Sequence, residues 1–326
     1  MSTLTLLRAP MLPLARRLRA YFAPVTRQTE TPAIFDPAAS AGFNLDSPPL
    51  PWVDGGWIEN FVRTPATKVQ QLRSGESAAV NGQFRSQLDA RIEFDFQQWG
   101  KLQMAIAGGA ENMNVLAATS GATPLPTGGQ PIAAIPLQPG STATQLQLPT
   151  TAIAGFSVGD LVAVDTDYQQ QTGYVGSGMA AAYISDPAEI GSNVNFIRQV
   201  TFNVGRVAAT SATSLTLAQP LLGGAPGSGA AVQKVMAFVD REGGSFFQEW
   251  SALFAIPEEG GGRVCFYYPR VQACAPAQEK ATTVADPLKA YALHASLVAL
   301  PYTDSTDGQQ VVCYRSYAPA SGAAVF

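Results

Sequence analysis

Charge is scarce in this chain: of its 326 residues only 13% are Asp, Glu, Lys or Arg, well below the roughly 25% usual in soluble domains. Histidine is scarcer still, with His294 alone, and the three cysteines, Cys265, Cys274 and Cys313, are odd in number and lack any C-x-x-C spacing. These scarcities argue against a histidine-rich metal centre and against a disulfide framework, so a reducing compartment is expected. No apolar run approaches the roughly 18 residues of a membrane helix, so no membrane partner is expected. A net charge of −4 argues against general nucleic-acid binding, which wants a basic face, although a lumen past which nucleic acid slides tolerates neutral or acidic walls. The glycine-rich stretch Gly223–Gly229 lacks the Lys-Ser/Thr of a phosphate loop and no dinucleotide fingerprint is present, so no cofactor is expected.

What the chain has in quantity is apolar residues (46%), glycine (30) and proline (24). That is ample for a sizeable core. A polar but poorly charged surface suits a protein whose faces are covered by neighbours, since a monomer normally carries more charge to stay soluble. The expectation is a structural subunit that assembles with copies of itself and is not an enzyme.

The first residues hold Arg8, Arg16, Arg17 and Arg19 with no acid before Glu30, and the arginines follow the short apolar stretch, the reverse of a signal peptide. Prolines 32, 37, 48, 49 and 51 then punctuate the chain as far as Trp52. Residues 1–51 therefore read as an extended arm laid over a neighbouring surface; a transit peptide is the other reading that composition allows. Trp57–Arg63 and Ala66–Arg73 read as a hairpin or two short strands around Thr64-Pro65. In Arg91–Phe96, Ile92, Phe94 and Phe96 alternate with charge, which predicts a half-buried strand. Trp99, Leu102 and Ile106 then fall at helical spacing before the stop Gly108-Gly109. Between Ser120 and Gly229, β-type runs (Leu161–Val164, Val200–Val204, Leu215–Leu217) recur between turn signals, the signature of a small sandwich or barrel.

The predicted organisation is thus mainly β with one or two short helices: an arm (1–51), a main β-barrel or sandwich domain (52–119 and 232–326) and an inserted β-rich domain (120–231). Val232–Val239 is placed in the main domain as a strand. Phe246, Phe247, Trp250, Leu253 and Phe254 then form one helical face. Phe247-Gln248-Glu249-Trp250-Ser251-Ala252-Leu253 repeats the Phe, Gln, Trp and Leu spacing of Phe96-Gln97-Gln98-Trp99-Gly100-Lys101-Leu102. The repeat suggests two similar halves, each a strand feeding a helix. Arg263–Tyr268, Ala290–Leu300 and Val311–Tyr317 complete the strands, with a hairpin-type turn at Asp304–Gly308.

Three constellations carry chemistry on paper. Gly155-Phe156-Ser157-Val158-Gly159 is a literal G-x-S-x-G, and His294 follows it with Asp240 between, so a serine hydrolase order exists. A nucleophile elbow, however, needs a helix after the serine, and a β-type run follows instead. Cys265, Cys274, Cys313 and His294 are four ligands of suitable type for zinc but without compact spacing. Asp165 and Asp167 point the same way on a strand, as an ion-holding pair or, more commonly, a solvated strand end. Exposed aromatics in the insert would instead mark a surface carbohydrate-binding β-protein.

Gly56-Trp57-Ile58-Glu59-Asn60-Phe61, the run Glu93-Phe94-Asp95-Phe96-Gln97-Gln98-Trp99-Gly100-Lys101-Leu102-Gln103-Met104-Ala105 and the strands after Arg263 come in an order that resembles the tail-tube proteins of tailed bacteriophages and related contractile machines. The resemblance covers the main domain loosely and the insert hardly at all. It implies a ring, usually of six subunits, around a channel for DNA, with rings stacking and other virion tail proteins as partners; two similar halves would permit a trimer with pseudo-six-fold symmetry. The implied location is the virion tail, assembled in the host bacterial cytoplasm. The chain's length and its large insert depart from a simple tube subunit and leave a baseplate or connector position open. Trp57, Phe61, Phe96, Trp99, Leu102, Phe247, Trp250 and Leu253 are the expected packing and assembly residues.

Overall fold

The computed structural model describes residues 18–25, 30–65, 68–74, 79–87, 89–168, 193–242, 248–257, 262–274, 278–280 and 292–318. They form a mainly β protein with short helices. In chain order the first strands are β1 (Leu18–Pro24), β2 (Val53–Pro65), β3 (Lys68–Ser74), β4 (Ala79–Gln87), β5 (Ala90–Phe96) and, after helix α1 (Lys101–Gly108), β6 (Glu111–Leu116). The middle of the chain adds β7 (Ile135–Pro136), β8 (Gln145–Gln147), β9 (Leu161–Thr166), helix α2 (Phe196–Val200), β10 (Val204–Thr210), β11 (Ser214–Leu217) and β12 (Ala230–Arg241). Last come β13 (Trp250–Pro257), β14 (Arg263–Ala273), β15 (Gln278–Lys280), β16 (Ala292–Ala299), β17 (Tyr302–Thr303), β18 (Gln310–Val311) and β19 (Tyr314–Ala318).

The main sheet runs β15-β16-β5-β2-β1-β13-β14-β19, and β14 also pairs with β16. That last pairing closes six antiparallel strands into a barrel within one chain, from Val271↔Ala299 to Ala273↔Leu297. Closure leaves the barrel strands no open edge of their own. The interior is filled, not hollow: Phe22, Phe94, Phe96, Trp250, Phe254 and Tyr268 pack there with Ile92, Leu293 and Leu297. Ala105, Ile106 and Ala107 of α1 enter the same core. Gly109 ends α1 in the left-handed region (φ 60), and a Cβ there would lie 2.7 Å from that of Ala273, so the stop needs glycine for both reasons.

Two expectations about the ends of this unit are corrected. Leu18–Pro24 is not arm but the central strand β1, paired with both β2 and β13 and buried on both faces; a short, nearly continuous apolar run interrupted by Arg19 carried no strand period. The proline-punctuated lead lies over the chain's own barrel, not a neighbour's. Phe35, Phe43 and Trp52 cover Tyr21, Leu253, Cys265 and Tyr267 on the outer face of β1, β13 and β14. Side-chain bonds fasten it: Tyr267 Oη donates to Ala33 O and Tyr21 Oη to Leu45 O, each at 2.8 Å. Arg270 bridges Glu30 and the buried Glu249 at 2.8 and 2.9 Å.

Burial raises the phenol pKa of Tyr21, Tyr267 and Tyr268 and pushes the Cys265 thiol up to about 11. A raised folded-state pKa contributes stability that is complete below the unfolded value, about 10 for tyrosine, and is lost as pH rises beyond it. Urea midpoints are therefore expected to fall steeply above about 10. Tyrosinate absorbance should appear together with unfolding; titration of these phenols in a folded chain would contradict the packing.

The segment Trp250–Leu253, predicted as helix, is strand β13. Its six leading residues are all buried, with Trp250, Ala252 and Phe254 facing the barrel interior and Leu253 and Ala255 facing the lead. A run apolar on both sides carries no alternation, and short apolar runs do not separate helix from strand. The proposed repeat of Phe96–Leu102 therefore pairs a helix with a strand and marks no duplication. Of the two readings around Thr64-Pro65, separate strands hold and the hairpin does not: β2 pairs with β5 and β3 with β4.

The second unit is a sheet ordered β6-β12-β9-β10-β11-β8, with β7 on β12. Gln138, two residues past β7, donates its N–H to Gln147 O of β8 at 2.8 Å, so the sheet curls into a barrel around Leu146, Val162, Val164, Val207, Leu215 and Val232. β6 and β12, expected in the main domain, belong to this second barrel, so its limits lie outside 120–231. Among the described residues no helix is long and apolar enough to cross a membrane.

Candidate assembly surface

β3 and β4 pair only with each other, as a hairpin springing from β2 and β5. A two-stranded ribbon alone is marginally stable in water, and this one shows apolar groups to solvent: Val69, Leu72, Val80 and Phe84 are 51%, 57%, 43% and 47% exposed. Paired residues share a face, so the register sorts the side chains. Val69↔Arg85, Gln71↔Gln83 and Arg73↔Val80 form one face; Gln70↔Phe84 and Leu72↔Gly82 form the other. Arg73 donates to Gln71 Oε1 at 2.7 Å on the first face. Leu72 and Phe84 are diagonal neighbours on the second. An apolar, exposed ribbon of this kind is the feature that a neighbouring chain would cover.

The residues expected to pack or assemble divide differently. Phe96 and Trp250 are buried in the barrel core, with Phe61 and Leu102 packed against it, and Leu253 is buried beneath the lead. All five therefore stabilise the subunit itself. Trp57 is half-buried with the Arg19 guanidinium 5.1 Å above its ring. Trp99 does not pack helix on sheet: it is exposed, its ring 5.7 Å from that of Phe238. Phe247 lies outside the described residues. The hairpin's exposed side chains were missed because Ala66–Arg73 reads as ordinary strand and its partner Ala79–Gln87 was not singled out.

The joint between the two barrels holds polar groups that the sequence did not single out. Lys101 at the start of α1 donates to Thr201 O at 2.7 Å and to Asn114 Oδ1 at 2.9 Å, with its ammonium 4.5 Å from the Phe202 ring centroid. Burial lowers its pKa well below the usual lysine range. Its stability contribution therefore grows toward high pH, one ammonium opposing the three buried phenols and the thiol. Phe202 sits in the main core beside Trp250, locking the joint. Arg198 of α2 is fully buried and donates to Gln233 Oε1 at 2.6 Å and Asp165 O at 3.2 Å, with Asp167 2.6 Å away. Asp165 and Asp167 thus part company: Asp165 is buried, while the half-exposed Asp167 pairs with this arginine.

The chemical constellations do not assemble. Ser157 is an exposed turn residue whose N–H donates to Asp160 Oδ2 at 2.9 Å, ahead of strand β9. His294 lies on the other barrel, its Nδ1 2.7 Å from Asp95 Oδ1. Cys265 is buried under the lead, Cys313 packs toward the barrel core, and the exposed Cys274 has its Sγ 3.2 Å from Ser296 Oγ. Among the described residues no cluster of three or more His, Cys, Asp or Glu could hold a metal ion. No family model matches the chain, and no curated protein matches it at a significant level.

Proposed function

We propose that the chain is a structural subunit that assembles with copies of itself, as tail-tube and neighbouring tail or baseplate proteins of bacteriophages do, into rings able to stack around a channel for DNA. The observation that carries this reading is the β3–β4 hairpin, an unsupported ribbon with Leu72 and Phe84 on one exposed face. The low charge of the chain points the same way. The barrel is closed and filled within the chain, so the contacts between copies run through the hairpin and outer edges such as β19, not through barrel strands. Such head-to-tail contacts are heterologous, and when the rotation closes they make rings. With the helix repeat gone, the ring is one of whole subunits, six by the resemblance, and no trimer of half-repeats is invoked. Negative-stain microscopy of the purified protein is expected to show rings or stacked tubes; a uniform field of single small particles at high concentration would refute the proposal.

A further inference from the structure

The hairpin has a second face, and its chemistry is different. From Arg63 to Arg91 the sequence holds five cations (Arg63, Lys68, Arg73, Arg85 and Arg91) and two acids (Glu76 and Asp89). This net of +3 sits in a chain whose total is −4. Composition averaged that local excess away, which is why the whole-chain charge argued against a nucleic-acid partner. On the face opposite Leu72 and Phe84, the described residues are Val69, Gln71, Arg73, Val80, Gln83 and Arg85. Arg73 and Arg85 are both exposed.

Geometry gives this face a dimension. Arg85 is level with Val69, four residues from Arg73, so the two guanidinium-bearing positions are separated by about 14 Å along the ribbon. The major groove of B-DNA is about 12 Å wide and admits a two-stranded β-ribbon. A ribbon seated along that groove would carry both arginines within reach of backbone phosphates, with Gln71 and Gln83 between them toward the base edges. Amide side chains there can exchange donors and acceptors with bases, while the phosphate contacts set affinity without reading sequence.

We infer that the Arg73–Arg85 face of the hairpin is a docking surface for the backbone of duplex DNA. It rests on the proposed self-assembly only for strength: one ribbon offers two phosphate contacts, and an array of copies repeats them. The other occupant such a face could have, an acidic surface of a second copy, is separated by the test.

The test is fluorescence anisotropy of a labelled mixed-sequence DNA duplex titrated with the full-length protein at several salt concentrations. Wild type is expected to bind at low salt, with log affinity falling against log salt at a slope of about −1.8 for two neutralised phosphates, and steeper in an assembly. Arg73→Glu with Arg85→Glu should weaken binding by about tenfold or more, while Arg206→Glu, an exposed cation on β10 of the second unit, should change it by less than about twofold. Light scattering on the same samples reports assembly. If the double variant also loses assembly, the pair is repeated in a Leu72→Ser, Phe84→Ser background, where the arginines must still account for the residual binding. The inference is overturned by no binding at low salt, by unchanged affinity in the arginine variant, by a flat salt response, or by single-stranded DNA binding about tenfold tighter than duplex, since a ribbon seated in the major groove needs the duplex. Absence of assembly with DNA binding intact would instead refute only the proposed function.

Discussion

A chain lacking residues 1–24 is expected to yield no folded protein. The deletion removes β1, which lies between β2 and β13 and supplies ladder partners to both. Inside the barrel it takes away Ala20 and Phe22, and outside it takes away Tyr21 and Ala23 with their cover of Phe43. Phe22 alone touches the rings of Phe94, Phe96, Trp250 and Phe254 at centroid distances of 6.1 to 6.4 Å. Fully burying each of the two large aromatics is worth about 1.5–3 kcal/mol. The exposed edges of two formerly paired strands add unsatisfied backbone. Against a total stability of about 5–15 kcal/mol, the loss is decisive. Circular dichroism should show no cooperative melt. A truncated protein that melts like wild type would show that the first strand is an appendage after all.

Phe254→Ala is expected to be the most damaging single core substitution. Its ring lies 4.8 Å from Phe61, 5.4 Å from Phe94, 5.9 Å from Tyr268 and 6.1 Å from Phe22, so it joins four strands at the centre of the barrel. Truncating a buried phenylalanine costs about 3–5 kcal/mol, because the transfer term and the cavity add. The neighbours here are rings held from several sides, so collapse into the space is limited and the upper half of that range is expected. Urea denaturation measures it; a loss of under about 1 kcal/mol would mean that the barrel interior is loosely packed.

The elements that could be read from sequence are those with a clean period. Ile92, Phe94 and Phe96 alternate because β5 has one face in the barrel and one in solvent, and Leu102 with Ile106 keeps helical spacing because α1 packs on one side. β13 defeated the same reasoning, since Leu253 and Phe254 both find apolar cover, one under the lead and one in the core. The role of β1 was illegible for a related reason: Arg19 looked like arm composition, yet its guanidinium stacks over Trp57 and pairs with Asp46 and Asp54, contacts far away in sequence. The same holds for Arg198, whose partners at 165, 167 and 233 are gathered only by the fold. At the hairpin, Ala66–Arg73 was legible as strand, but its partner Ala79–Gln87 was not singled out, and nothing local says that no sheet lies behind the pair.

Solution mass by light scattering, measured for wild type beside Leu72→Ser with Phe84→Ser, tests the central claim most directly. Both positions are exposed in the single chain, so the variant should keep the wild-type circular dichroism spectrum and still melt cooperatively. Wild type is expected to run at a multiple of the chain mass and the variant at the mass of one chain. Wild type at one chain mass over the whole accessible concentration range would contradict self-assembly, and an undiminished multimer in the variant would contradict its route through the hairpin.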